Sequence, residues 1–144
     1  MNKKIGICFE VETDTGVKIL LLNTGASASI LRSSPVEEAL STDTYGGIPI
    51  WCSKKFIFGD HDFGEKNLLL HKITPRLSDI DGFLGMDFLK EHAIYLDMKN
   101  SQAYIAKNAL VESSYYSVIP VRIDSKWNIP LVQVEIGDKK YDFE

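Results

Sequence analysis

The chain has 144 residues, a formal net charge of −4, 44% hydrophobic residues and 25% charged residues. This length and apolar content suit one folded domain, or one domain and part of another, and exclude a disordered chain. The acidic balance argues against nucleic-acid binding, which needs a basic face. The longest apolar run, residues 19–22, is too short to span a bilayer, and no apolar signal segment follows the N-terminus. We therefore expect no membrane span, and among compartments the cytoplasm is favoured.

The cysteines and histidines do not suggest a metal site or a disulfide framework. There are two cysteines, Cys8 and Cys52, with no CxxC pair, and His61, His71 and His92 are scattered along the chain. A structural zinc site needs several such ligands at close spacing. The sequence therefore predicts that the protein holds no metal ion.

Short strands dominate the first third of the chain. Residues 5–13 alternate apolar and polar, and Asp14-Thr15-Gly16 is a turn signal. Residues 17–22 are apolar at nearly every position, which predicts a second strand of a hairpin that is covered on both faces. Ser34 before Pro35 indicates the start of a short helix that runs to residue 40.

The remaining elements up to residue 106 are also short. Residues 44–51 carry two adjacent glycines between β-prone residues and predict a mobile hairpin, and strands are predicted at 55–59 and 66–70. Residues 80–85 indicate a buried strand interrupted by glycines, with a short helix after it. Residues 93–97 and 102–106 flank a turn and predict another hairpin. The predicted fold class is all-β with one or two short helices.

The C-terminal segment begins a pattern that the chain has already used. Residues 133–141 resemble residues 10–20, as if the opening hairpin started again. We predict one domain over residues 1–107, a linker over 108–117, and over 118–144 either the start of a second repeat or a C-terminal strand extension. Glu144 falls about where the second copy would reach its own Asn-Thr-Gly, so we expect it to be a truncation point.

Two segments together resemble a known family. The first is Leu21-Leu22-Asn23-Thr24-Gly25-Ala26-Ser27, and the second is Ile80-Asp81-Gly82-Phe83-Leu84-Gly85-Met86-Asp87-Phe88-Leu89. The first resembles the Asp-Thr-Gly-Ala-Ser signature of retropepsin-like aspartic proteases, and the second resembles their later apolar-apolar-glycine landmark before a helix. The order of hairpin, catalytic loop, glycine-bearing flap and landmark also fits, over about residues 5–106. The resemblance implies a closed, barrel-like acid-protease domain in which the landmark packs under the catalytic loop as part of a ψ-shaped motif.

The resemblance also implies roles for individual residues. Asn23 occupies the position of the catalytic Asp, Thr24 braces the loop, and Gly25 lets backbone N–H groups approach the carboxylates. The implied substrate-binding residues are Ala26, Gly46, Gly47, Ile48 and Leu84. The implied partners are a peptide or protein substrate and a second copy of the domain, either in a homodimer or as a second repeat of one chain. No metal or cofactor is implied.

Asn23 is the main departure from the family pattern. Hydrolysis by this route needs two carboxylates that share one proton and activate a water. A carboxamide preserves the shape of the loop but exchanges no proton near neutral pH, so we expect this chain to be inactive. Three explanations stay open: an engineered Asp→Asn change, a natural pseudoprotease that binds peptides or dimerises, or a domain that pairs with an Asp-bearing second repeat.

Other residues near these motifs have simpler interpretations. Asp14-Thr15-Gly16 spells the same tripeptide as the family signature but lies in a polar turn, so we do not assign it to the site. Trp51 is expected to pack in the core. Asp81 is expected to be a turn residue and Asp87 a helix cap, although either could reach a neighbouring subunit.

Overall fold

The computed structural model describes residues 6–100, 102–106 and 119–143, and most of their regular structure is β-strand. The strands are β1 (Cys8–Thr13), β2 (Gly16–Leu22), β3 (Ile30–Arg32), β4 (Asp43–Tyr45), β5 (Ile48–Ser53), β6 (Ile57–Phe58), β7 (His61–Asp62), β8 (Lys66–His71), β9 (Gly82–Leu84), β10 (Ala93–Asp97), β11 (Gln102–Ala106), β12 (Val121–Ile123), β13 (Pro130–Ile136) and β14 (Lys139–Phe143). The helices are α1 (Pro35–Leu40), α2 (Met86–Leu89) and a 3₁₀ turn at Pro75–Leu77. The prediction of an all-β protein with short helices is confirmed.

Nine strands form one mixed sheet in the order β4-β5-β8-β3-β9-β2-β1-β6-β7. Strands β10 and β11 pair with each other, and β12, β13 and β14 form a third sheet. The large sheet ends at β4 and β7, and these two strands do not pair with each other or with strands β10 to β14. The described residues therefore form no closed barrel. The expectation of a closed barrel is therefore not met in this part of the chain.

The opening hairpin forms as predicted, but its second strand is more exposed than expected. β1 pairs antiparallel with β2 from Cys8↔Leu21 to Thr13↔Gly16. Leu20 is buried, whereas Val17 and Ile19 are 61% and 36% exposed. One face of the hairpin packs on the core and the other is open in the described residues, so the prediction that β2 is covered on both faces is wrong.

The two adjacent glycines form the tip of a tight hairpin between β4 and β5. Tyr45 pairs with Ile48, so Gly46 and Gly47 make a two-residue loop. Their φ angles are +57° and +80°, the left-handed values that a type I′ turn requires and that glycine adopts without strain. The predicted hairpin is confirmed, and both glycines are exposed at its tip.

Strand β9 is enclosed between β2 and β3 in the middle of the large sheet. It pairs parallel with β2, from Leu20↔Gly82 to Leu22↔Leu84, and antiparallel with β3. A Cβ atom built on Gly82 would lie 2.1 Å from the carbonyl oxygen of Ile30. Only glycine therefore lets β3 approach β9 this closely.

The core lies on one side of the large sheet and is rich in aromatic residues. Its buried members are Phe9, Val11, Leu20, Leu31, Trp51, Phe56, Leu68, Leu70, Leu84, Met86, Phe88 and Leu89. Trp51 packs in this core, as predicted. Phe56 and Phe88 meet edge to face, with ring centroids 5.7 Å apart, which brings the segment before β6 against the helix that follows β9.

Helix α1 is fastened to the opening hairpin by a buried carboxylate. Glu37 accepts hydrogen bonds from Lys18 Nζ at 2.7 Å, Thr15 Oγ1 at 2.6 Å and Ser34 Oγ. Burial raises the pKa of the Glu37 carboxyl, but the hydrogen bonds from Lys18 and Thr15, a backbone hydrogen bond and the charge of Lys18 together lower it more, so its pKa lies below the ordinary value. Ser34 is the N-cap residue and Pro35 opens the helix, as predicted.

The C-terminal sheet includes a hairpin whose turn has the same length as that of β1–β2. Ile136 pairs with Lys139 across a two-residue turn, as Thr13 pairs with Gly16. Two-residue turns are common to many hairpins, so the second repeat stays a prediction. The predicted linker, residues 108–117, lies outside the described residues.

None of the helices in the described ranges has the length and hydropathy of a membrane-crossing helix.

The close approach at Gly82 predicts a large loss of stability for Gly82→Ala, of more than about 3 kcal/mol, because backbone must move. The matched control is Gly137→Ala, where the added Cβ meets open space and the penalty is the left-handed φ of 63°, on the order of 1 kcal/mol. Urea unfolding of both variants measures the difference. Similar losses in the two variants would contradict the packing described for β9.

The buried Glu37 carboxylate predicts a pH-dependent stability. Its lowered pKa stabilises the fold above the unfolded value near 4.5, and this stabilisation is lost as the pH falls through the lower folded value. Glu37→Gln should lose about 3 kcal/mol at pH 7, since it leaves Lys18 without its counter-charge. The difference in the free energy of unfolding between the variant and the unsubstituted chain should become smaller below pH 4.5. Glu65→Gln, which removes an exposed ion pair with Lys54, should change stability little at either pH.

Candidate functional site

The candidate site is the loop of residues 23–29, which joins β2 to β3 and crosses the carboxyl end of β9. The backbone N–H of Asn23 donates to the carbonyl of Leu84 at 3.0 Å, on one side of the crossing. The N–H of Met86 donates to the carbonyl of Ala26 at 2.7 Å, on the other side. The loop is therefore fixed by backbone hydrogen bonds to the strand that it crosses.

Gly85 allows the loop to lie directly on this strand end. A Cβ atom built there would lie 2.4 Å from the carbonyl oxygen of Ala28 and 2.9 Å from that of Ala26. The segment Phe83-Leu84-Gly85 thus packs under the loop, as the family resemblance implied. Any larger residue at position 85 would push the loop away from β9.

Asn23 lies at the start of the crossing and is half-buried. Its Oδ1 accepts a hydrogen bond from the N–H of Gly25 at 3.1 Å, and its carbonyl accepts one from Ala26 at 3.2 Å. Thr24 and Gly25 are exposed. A carboxylate at position 23 would accept the same bond from Gly25, which would favour its ionised form. The amide keeps the shape of the loop but has no proton to give or take near neutral pH.

The predicted substrate-binding residues lie in three different places. Ala26 is half-buried in the loop, Gly46 and Gly47 are exposed at the hairpin tip, and Ile48 is half-buried beside that tip. No hydrogen bond within residues 6–100 joins this tip to residues 23–26. Leu84 is 0% exposed, so its side chain belongs to the core and only its carbonyl serves the loop. The prediction that Leu84 contacts substrate is corrected for this reason.

A buried serine ties the far end of the loop to helix α2. Ser29 is 1% exposed, and its hydroxyl donates to Asp87 Oδ1 at 2.7 Å and accepts from the N–H of Gly85 at 3.0 Å. The other Asp87 oxygen lies 2.9 Å from Lys66 Nζ on β8. Gly85 is the N-cap of α2, so the prediction that Asp87 caps this helix is wrong. Instead Asp87 links the loop, the helix and β8.

The sequence did not predict that the C-terminal region contacts the candidate loop. Asn128 Nδ2 donates to the carbonyl of Ser27 at 3.1 Å, and Lys90 Nζ donates to Asn128 Oδ1 at 3.2 Å. Asn128 has a φ of +55°, a left-handed value that asparagine tolerates better than most residues. Its separation of 101 residues from Ser27 leaves no local pattern that would have revealed the contact.

Asp81 lies just before β9 and extends its pairing with β2. Its N–H donates to the carbonyl of Ile19 at 2.7 Å, and its Oδ2 accepts from the N–H of Ile19 at 2.8 Å. Asp81 therefore has a structural role within the sheet. Among the residues that the structure describes, no group of three or more histidine, cysteine or acidic side chains could hold a metal ion.

We compared the chain with protein families, curated proteins and solved structures. No family model matches the chain. No match was found among curated proteins or among solved structures.

The Ser29 hydroxyl predicts a specific cost for Ser29→Ala. Gly85 N–H would lose its acceptor inside the protein and Asp87 would lose a donor, so the free energy of unfolding should fall by about 1–3 kcal/mol. Ser78→Ala, the same change at an exposed serine, should be nearly neutral. Urea unfolding compares the two, and hydrogen exchange at the Gly85 amide should quicken only in Ser29→Ala. Equal stability of the two variants would contradict the role given to Ser29.

Proposed function

We propose that this chain is a retropepsin-like aspartic endopeptidase domain in which the catalytic loop carries Asn23 in place of Asp. The single observation that supports this most is the loop that crosses β9 and rests on Leu84 and Gly85. It joins the two sequence segments that resemble the family, and it puts residue 23 at the start of the crossing with a backbone N–H directed at its side-chain oxygen. A retropepsin-like fold is part of this proposal, although the described strands do not close into a barrel.

The proposed chemistry needs two such loops, because one chain supplies one residue 23. With Asp at this position in both loops, two carboxylates would share one proton, since like charges at close range do not both ionise. One carboxyl would act as acid and the other as base toward a water that attacks the peptide carbonyl. With two amides the water has no base, so a homodimer of this chain would hold a peptide without cutting it.

The glycine hairpin is the proposed flap over the peptide. Gly46 and Gly47 give it an exposed tip with a backbone that side chains do not shield. Strand β4 ends the large sheet and pairs only with β5 among the described strands. Its free backbone groups suit an extended peptide that adds as a further strand. The substrate is therefore proposed to be an unfolded or extended polypeptide.

Asn23 itself favours a second candidate function. A loop that keeps the tether to Leu84 and the Gly25 hydrogen bond, but lacks a carboxyl group, suits a pseudoprotease that binds peptides or dimerises without catalysis. The two candidates differ in whether an acid at position 23 completes a working site.

The proposal predicts that Asn23→Asp gains peptidase activity. The variant and the unsubstituted chain are incubated with an unfolded protein from acid to neutral pH, and intact-mass spectra of substrate and enzyme are read for fragments. We expect cleavage by the variant only. We also expect a lower rate per molecule on dilution, because each active site needs two copies.

Asn67→Asp is the matched control, since it makes the same chemical change at an exposed position of β8. It should not cleave. If Asn23→Asp binds a peptide but leaves it intact at every pH and concentration, a homodimeric peptidase is excluded, and a pseudoprotease or a domain that pairs with an Asp-bearing second repeat is supported. Cleavage by the Asn67→Asp control would mean that the activity does not depend on the loop.

A further inference from the structure

A cavity of about 310 Å³ lies away from the candidate loop, between strand β1, the β6–β7 turn and strand β11. Its lining includes two acidic residues and several aromatic ones: Glu10, Asp60, Phe9, Phe58, His61, Phe63 and Tyr104. It shares no lining residue with the loop of residues 23–29 or with the glycine hairpin. The volume is at the lower end of the range for small-molecule sites and equals that of about ten waters.

The aromatic lining is held in place by edge-to-face contacts. The Phe9 and Phe58 ring centroids are 5.7 Å apart at an interplanar angle of 88°, and those of Phe58 and Phe63 are 5.5 Å apart at 89°. Phe63 also packs against Phe88 of the core, at 5.3 Å. Rings fixed in this way form a preformed apolar wall, and the negative faces of aromatic rings attract cations.

The charged residues around the cavity also favour a cation. Among the described residues, Glu10 and Asp60 are the acidic residues in its lining, His61 is the one lining residue that can carry a positive charge, and no lysine or arginine is found there. Within the described part of the chain, neither carboxylate has an ion-pair or hydrogen-bond partner for its side chain. Other exposed acids such as Glu12 and Glu65 are paired with lysines. The cavity therefore combines an aromatic wall with two carboxylates that form no ion pair among the described residues.

We propose that this cavity binds an organic monocation with a small apolar body, of the arylalkylammonium class. The apolar body would pack against the phenylalanine rings, and the ammonium group would lie near the carboxylates of Glu10 and Asp60. An anion of the same shape would be repelled, and a neutral molecule would gain only the apolar contact. The proposed site is separate from the loop, so it does not depend on the proposed function.

The test is a titration of the ¹⁵N-labelled chain, followed by amide chemical shifts, with three probes of nearly equal size. The probes are 2-phenylethylammonium, 2-phenylethanol and phenylacetate. We expect the cation to bind about fivefold or more tightly than the alcohol, as one cation–π contact and one exposed carboxylate allow, and phenylacetate to bind most weakly. The largest shifts should fall on the amides of Gly59 and Ala103, which line the cavity.

A pair of double variants identifies the source of the preference. Glu10→Gln with Asp60→Asn should lower the preference for the cation to what the contact with the rings gives alone, and leave binding of 2-phenylethanol unchanged. Glu135→Gln with Asp138→Asn removes the same charge from exposed positions of the C-terminal hairpin and should keep the full preference. Equal affinity for cation and alcohol, shifts centred elsewhere, or a preference that the first double variant does not lower would each overturn the proposal. Because Asn23 is unchanged throughout, failure here is independent of failure in the cleavage assay.

Discussion

The described structure depends on one close crossing of backbone, where the loop after β2 passes over the end of β9. Two glycines make it possible, since a Cβ atom at either Gly82 or Gly85 would lie within 2.4 Å of a carbonyl oxygen. Once β9 lies between β2 and β3, the loop must cross its end. The backbone bonds to Leu84 and Met86 then fix the height and orientation of residue 23. The place of β9 between β2 and β3 and the geometry of the candidate site depend on this contact.

The chemistry of the site is limited by what one loop provides. A half-buried Asn23 with a hydrogen bond from Gly25 can orient a ligand, and its amide does not move protons. The proposed function therefore needs a second loop and an acid at this position, neither of which lies in the described part of the chain. This explains why the loop can be firmly held at both ends, including at its buried last residue, Ser29, and yet be inert in this chain.

Local patterns in the sequence predicted the features that depend on short-range interactions. The two-residue turn of Gly46 and Gly47 and the helix start at Ser34 and Pro35 were found because turn and cap chemistry is short-range. The packing of Gly85 under the loop was expected only from the family resemblance.

Contacts between distant residues were missed. The hydrogen bond of Ser29 with Asp87 spans 58 residues and that of Asn128 with Ser27 spans 101. The prediction that β2 is covered on both faces was wrong, and the described strands do not close into a barrel. Strand order and the second face of a sheet depend on distant segments, so neither is encoded in any one strand.

A crystal structure of the Asn23→Asp variant with an extended peptide analogue would show whether two copies of this loop form one site. The quantity to measure is the distance between the two carboxyl groups that the substitution introduces, one in each chain. We expect two chains related by a two-fold axis, these carboxyls about 3 Å apart, and the peptide between them under the Gly46–Gly47 hairpins. Two loops on opposite sides of the assembly, or a peptide bound away from residue 23, would contradict this expectation.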